Sequence, residues 1–253
     1  MSKQPTGIGS KTVYPIKSVD QIKAIERYLL DKALDATTAS KKRLAYRNFL
    51  YVALGINVGF RGGDLTELTW GQLATFTPSG ITFRDEEWNY IHAEKTGKLH
   101  LIVLNEEARS VIRFYYKQTK ALGTDFSPEA PVFFSNKTSG TSEATVTGHV
   151  DVDNIGRILK AAAKAVGIQQ NVCSHTLRKT FGYHYFKETG DLATLQKIFG
   201  HSSSAITLTY IGLDAETITA AYNKKPNTSI DFEAYLNGTE QEESNVLKFP
   251  NAI

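Results

Sequence analysis

One cysteine, Cys173, is all the chain has, so no disulfide can close within it, and the thiol fits a reducing compartment. No apolar stretch approaches the roughly 20 residues that a bilayer-spanning helix needs. Residues 1–13 are polar and glycine-containing, without the apolar core of a secretion signal. Three Asn-x-Ser/Thr sequons, at Asn136, Asn227 and Asn237, therefore carry no expectation of glycosylation. The reading these absences give is an intracellular, cytoplasmic protein with no membrane partner.

Charge of one sign is also scarce, with a formal net of +3 over 253 residues. Its distribution is uneven. From Asp214 onward seven acids face three bases, a net of −4, which leaves +7 on the preceding 213 residues. A moderately basic body with an acidic tail is compatible with a nucleic-acid partner and equally with a solvated surface. Hydrophobic residues at 41% are enough for a buried core.

Residues 1–16 read as a loose arm. Apolar residues at helical spacing predict helices over 19–32 and 41–57, broken by Gly59, with a short helix over 64–68. Three β-rich runs follow at 81–83, 88–93 and 99–104, the last two joined by the turn Lys95-Thr96-Gly97-Lys98. They predict one three-stranded antiparallel sheet. Helical spacing returns over 106–122, 151–166, 174–189, 191–199 and 203–211, around an apolar run at 131–135 and a Ser/Thr/Gly-rich loop over 136–150. The expected class is α+β and predominantly helical. The expected division is a flexible arm over 1–16, one folded domain over 17–222 and a tail over 223–253.

The densest chemistry lies between Ser174 and Tyr210. Ser174 is placed to cap a helix on which His175 and Arg178 stand three residues apart, near an N-terminal end that favours an anion. Gly190 and Gly200 close two helices in turn, Asp191 can cap the second, and His201 falls in a tight turn before Ser202 and Ser203, which can cap the final helix. Each feature alone is commonplace, and two short helices with a glycine break also suit a purely DNA-binding helix-turn-helix. Other candidates are weaker. The order of residues in Gly7-Ile8-Gly9-Ser10-Lys11-Thr12 is wrong for a phosphate loop. His92 and His100 lack a third metal ligand. Cys173 beside His175 reads as a small core thiol rather than a nucleophile.

Taken as an ordered set, these residues resemble the tyrosine recombinase (phage integrase) family. Gly59-Phe60-Arg61-Gly62-Gly63-Asp64-Leu65 matches its first arginine motif, Lys95 its hairpin lysine, and His175-Thr176-Leu177-Arg178 its His-x-Leu-Arg. Phe199-Gly200-His201-Ser202 matches its Leu-Gly-His-Ser with one change, and Thr207-Leu208-Thr209-Tyr210 its Thr-x-x-Tyr ending. The resemblance spans roughly 19–222 and implies an integrase-type catalytic domain that cuts and rejoins double-stranded DNA through a 3′-phosphotyrosyl bond. In that role Tyr210 is the nucleophile, and Arg61 and Arg178 clamp the phosphate. His175 assists proton transfer, His201 hydrogen-bonds the phosphate, and Lys95 protonates the leaving 5′-hydroxyl. Asp64 orients Arg61 or His175.

The resemblance further implies integration, excision or inversion of a mobile element without metal, ATP or other cofactor. It implies assembly as a dimer or tetramer on DNA, with an accessory DNA-binding protein as a possible partner. The segment 230–236 is a candidate helix for exchange between protomers. A catalytically silent DNA-binding regulator and a type IB topoisomerase-like relaxing enzyme are the alternatives. Two departures stand out: Lys179 replaces a second histidine, and Phe199 replaces a leucine as a core change without chemical consequence. Arg61 comes only 60 residues after Met1, so the expectation is a chain without the separate core-binding domain that usually precedes it.

Overall fold

In the computed structural model, the described residues are 13–83, 90–92, 97, 99–135, 148–213, 219, 222–224 and 232–238. The chain divides into two compact units, Met1–Asp214 and Ala215–Ile253.

The first unit is organised on one buried helix. α1 (Val19–Leu34) starts at Ser18, whose hydroxyl accepts from the Gln21 N–H. α2 (Ala39–Val58) starts at Thr38 in the same way. Along α2 the run Phe49-Leu50-Tyr51-Val52-Ala53-Leu54 is buried without interruption, so the helix is covered on all sides. Its neighbours are α1, α5 (Glu106–Ala121), α6 (Val152–Ala165) and α7 (Ser174–Thr189). Arg47 is also buried there, donating from Nη1 to the Phe134 carbonyl at 2.6 Å and from Nη2 to Asn48 Oδ1 at 2.8 Å. These bonds tie α2 to the extended segment that contains Phe134.

α2 ends at Gly59, where φ is +65°. A side chain there is excluded twice, by that backbone conformation and because a Cβ would sit 2.4 Å from Phe181 Cδ1. Two short helices follow, α3 (Gly62–Thr66) and α4 (Trp70–Leu73), and Trp70 packs in an aromatic cluster with Tyr115, Tyr116 and Phe126.

The antiparallel strands are present, but their grouping corrects the expected three-stranded sheet. Among the described residues β1 (Ala74–Thr77) pairs with β2 (Gly80–Phe83), and β3 (Tyr90–His92) pairs with β4 (Leu99–Leu101), as two separate two-stranded ladders. The missing partner was Ala74–Thr77, four residues directly after α4, brought back onto β2 by the two-residue turn at Pro78 and Ser79. A short turn closes this ladder at small entropic cost, whereas joining β2 to β3 spans a longer connection. Lys95 lies between β3 and β4, outside the described residues.

A second, smaller core is built by α7, α8 (Leu192–Phe199) and α9 (Ser204–Ile211) around Leu195, Phe199, Ile211 and Leu213. Gly182 of α7 lets these helices approach: a Cβ there would lie 2.7 Å from both Ile211 and Phe199. The caps of α8 and α9 are those expected, with Asp191 accepting from the Thr194 N–H at 2.9 Å and Ser203 from the Ile206 N–H at 3.3 Å. The cap of α7 is not. Cys173, rather than Ser174, is the N-cap, and its N–H donates to Thr176 Oγ1 at 2.9 Å.

The expected loose arm is also corrected over its last residues. Ile16 is fully buried; its N–H donates to Thr180 Oγ1 at 2.9 Å, and its carbonyl lies 3.0 Å from His184 Nε2. Gln170 Nε2 donates to the Pro15 carbonyl. One buried isoleucine and three hydrogen bonds outweigh the entropy of a free strand end.

In the second unit α10 (Phe232–Leu236) is a short helix with Leu236 81% exposed, inside the segment expected to be helical. No helix among the described residues is long and apolar enough to cross a membrane.

Candidate active site

Five places in the fold supply the site: the end of α2, the start of α3, the second turn of α7, the turn from α8 into α9, and the end of α9. Arg178 is its most constrained member. It is 2% exposed, yet it carries a guanidinium, so burial without partners would be prohibitive. Nη1 donates to the Gly59 carbonyl at 2.6 Å and Nη2 to the Phe199 carbonyl at 2.8 Å. These are the left-over acceptors at the C-terminal ends of α2 and α8, where helix carbonyls lack intrahelical donors and carry partial negative charge. The Phe199 ring lies beneath the same guanidinium, with Cζ 4.2 Å from the centroid. Burial pulls the Arg178 pKa down to about 10, the electrostatic interaction with Tyr210 opposes that shift while Arg61 adds to it, and the side chain stays charged at neutral pH.

Two of the five N–H donors of a guanidinium are committed to carbonyls, which fixes the fork and leaves the rest for other acceptors. Arg61 approaches from the N-terminus of α3, and its Nη1 is 3.8 Å from Asp64 Oδ2, a carboxylate buried within the same helix. The fields of Arg61 and Arg178 both act on Tyr210 and on His201.

Tyr210 lies near the end of α9. Its ring packs edge-on against Phe199 at 5.5 Å and His201 at 5.2 Å, and Lys179 Nζ stands 4.7 Å from its centroid. Burial raises the Tyr210 pKa, while Arg178 and Arg61 lower it and Cys173 raises it further. The phenol is thus neutral at rest beside two cations that favour its ionised form.

His201 is pinned along its backbone: its N–H donates to the Gln196 carbonyl and its own carbonyl accepts from Gln196 Nε2, each at 3.1 Å. Nδ1 of the ring lies 3.0 Å from Thr207 Oγ1. Burial lowers its pKa, as do Arg178 and Arg61, so the imidazole is neutral at pH 7.

The structure therefore brings together Arg61, Asp64, Arg178, His201 and Tyr210. His175 is one turn before Arg178 on α7 but stands exposed, unlike its buried neighbour. Lys95 lies outside the described residues. Cys173 is half-buried at the α7 N-cap rather than a core thiol.

Three residues at the site were not singled out from sequence as contributors. Phe199 is more than a core substitution, since its carbonyl and ring both hold Arg178. Lys179 faces the Tyr210 ring, and burial lowers its pKa. Thr207 meets His201. The one available signal was position: Phe199 precedes Gly200-His201, Lys179 follows Arg178, and Thr207 is one turn before Tyr210.

Beside the site, α6 and the start of α7 enclose an open groove of about 480 Å³ lined by Arg157, Lys160, Asp153, Cys173 and Ser174 among others.

Comparison with known proteins gives concordant matches. The sequence pattern of the Phage integrase family matches residues 26–217. A probable integrase/recombinase, YoeC of Bacillus subtilis (strain 168), is 31% identical over 210 residues, covering 83% of this chain and 95% of that protein. Tyrosine recombinase XerD of Caulobacter vibrioides is 27% identical over 195 residues, covering 77% of this chain but only 58% of that protein. Among solved structures, the XerH site-specific recombinase bound to its palindromic difH substrate, a post-cleavage complex, shares the fold with a TM-score of 0.57 at 14% identity. That match covers 87% of this chain and 55% of the XerH chain.

Proposed function

The chain belongs to the phage integrase family, and on that premise we propose that it is a site-specific DNA recombinase acting through a covalent bond from Tyr210 to a 3′-phosphate. The observation that carries this reading is the placement of the Tyr210 phenol within the fields of Arg61 and Arg178, next to a neutral His201. A phosphodiester between the two guanidiniums gains bidentate, permanently charged contacts, and these strengthen as negative charge builds on the non-bridging oxygens.

Tyr210 Oη attacks phosphorus, the bond from phosphorus to the 5′-oxygen breaks, and the phenolic proton leaves with help from His175. Lys95 delivers a proton to the departing 5′-oxygen. Attack by a 5′-hydroxyl from a second strand reverses the step, so the energy of the bond is retained. DNA is the partner this chemistry demands, and the cations Arg157 and Lys160 beside the site suit its flanking phosphates. Strand exchange needs two strands cut in register, which favours self-assembly into a dimer or tetramer on DNA, with an accessory DNA-binding protein where one is required.

A nicked suicide substrate tests the reading. Wild-type protein incubated with nicked duplexes covering the DNA that flanks its gene is expected to form a denaturant-resistant adduct. Tyr210→Phe is expected to bind the same DNA and form none. Absence of any adduct with the wild-type protein, or its formation by the phenylalanine variant, overturns the assignment.

A further inference from the structure

We infer that Thr207 is a positioning residue for the reaction, setting which nitrogen of His201 meets the phosphate; this rests on the recombinase reading above. Thr207 is fully buried on α9, one turn before Tyr210. Its hydroxyl lies 3.3 Å from the Ser203 carbonyl, to which it donates, and 3.0 Å from His201 Nδ1. A hydroxyl has one proton, and the Ser203 carbonyl can only accept. With that proton directed to Ser203, the oxygen accepts from Nδ1–H. Thr207 therefore holds the Nδ1–H tautomer of the neutral ring and leaves Nε2 for the site.

The consequence appears when a phosphate arrives. The charged groups facing His201 are Arg61 from the start of α3 and Arg178 from α7, with the Tyr210 phenol beside it on α9. Both cations oppose a charged imidazole until an anion neutralises them. Once it does, Nε2 can take up a proton from solvent and hold a phosphate oxygen through the new N–H, and the resulting imidazolium needs an acceptor at Nδ1 as well. The Thr207 hydroxyl is that acceptor, already in place. Because Thr207 and Tyr210 share a helix, the orientation of His201 is tied to the position of the nucleophile. A histidine oriented by a fixed partner on its other nitrogen is a recurring arrangement, and where the histidine binds a metal, loss of such a partner costs about 10–100-fold in affinity or activity.

The test combines ring-nitrogen spectroscopy with cleavage on the full chain. In protein carrying ¹⁵N-labelled histidine, the His201 signals are identified by their loss in His201→Gln. Wild-type and Thr207→Ser proteins are expected to show one Nδ1–H tautomer, and Thr207→Val a mixture. Thr207→Ala serves if valine prevents folding. On the nicked substrate, Thr207→Val is expected to slow covalent adduct formation about 10–100-fold. Thr207→Ser should stay within about threefold, with non-covalent DNA binding unchanged in both. The limb of the pH–rate profile that depends on a charged His201 should move to lower pH in Thr207→Val. In a His201→Ala background the valine substitution should cost less than about threefold, because its effect passes through the ring that is gone.

Wild-type tautomer signals persisting in Thr207→Val, or an equal slowing with and without His201, would refute the inference. Failure of wild-type protein to form any adduct would instead refute the recombinase reading, and the spectroscopic arm would still decide whether Thr207 sets the His201 tautomer.

Discussion

Arg178 and Phe199 are joined twice: the guanidinium donates to the Phe199 carbonyl at 2.8 Å and lies 4.2 Å from the centre of its ring. The carbonyl contact survives any side-chain change at 199, whereas the ring contact does not. A desolvated cation–π contact of this kind contributes about 2 kcal/mol. Phe199→Leu is therefore expected to slow adduct formation about 3–30-fold while leaving DNA affinity within about twofold. Arg178→Ala removes the clamp outright and should slow it by orders of magnitude. Equal losses from the two substitutions would contradict the division of labour between carbonyl and ring.

The packed strap at Pro15 and Ile16 makes a prediction about stability. Ile16→Ala removes a fully buried side chain and should cost about 2–5 kcal/mol in denaturant unfolding. A loss below about 0.5 kcal/mol would mean that the segment does not hold to α7 in solution.

His201 gives a pH prediction whose sign is fixed. Burial, Arg178 and Arg61 place its folded pKa below the unfolded value of about 6.5, so the unfolded chain takes up the proton first. The neutral ring's contribution is complete above about pH 6.5 and is lost as pH falls from there through the folded pKa. Stability measured by chemical denaturation should fall less steeply between pH 7.5 and 5.5 in His201→Gln than in wild type. A steeper fall in the variant would reverse the assignment of its charge.

Lys95 is open to a chemical test that needs no geometry. Lys95→Ala should be rescued selectively by a substrate with sulfur at the bridging 5′ position, because that leaving group departs without a proton. If sulfur gives the variant no advantage over wild type, Lys95 is not the general acid.

Much of this organisation is legible in the sequence wherever the governing interactions are local. Gly59, Gly190 and Gly200 mark helix ends because a positive φ is a property of one residue, and all three adopt it. Asp191 and Ser203 cap because the donor lies three residues on. The candidate site residues were legible as an ordered pattern, and the fold gathers five of them: Arg61, Asp64, Arg178, His201 and Tyr210.

What escaped depends on distant partners. Ile16 meets Thr180 and His184 across more than 160 residues, and no periodicity in 1–16 reports that contact. Ala74–Thr77 is too short to show a clear alternation, so nothing in its residues marks the pairing with β2 that the turn at Pro78 and Ser79 closes. Phe199 looked like a size change because its importance lies in an arginine 21 residues earlier.

The most direct measurement is identification of the atom joined to DNA. A trapped adduct, digested with protease and nuclease and sequenced by mass spectrometry, is expected to yield a peptide with Tyr210 bearing a nucleotide through its 3′-phosphate. The other fragment of the cleaved strand should carry a free 5′-hydroxyl. A nucleotide on any other residue, or a linkage through a 5′-phosphate, would contradict the account.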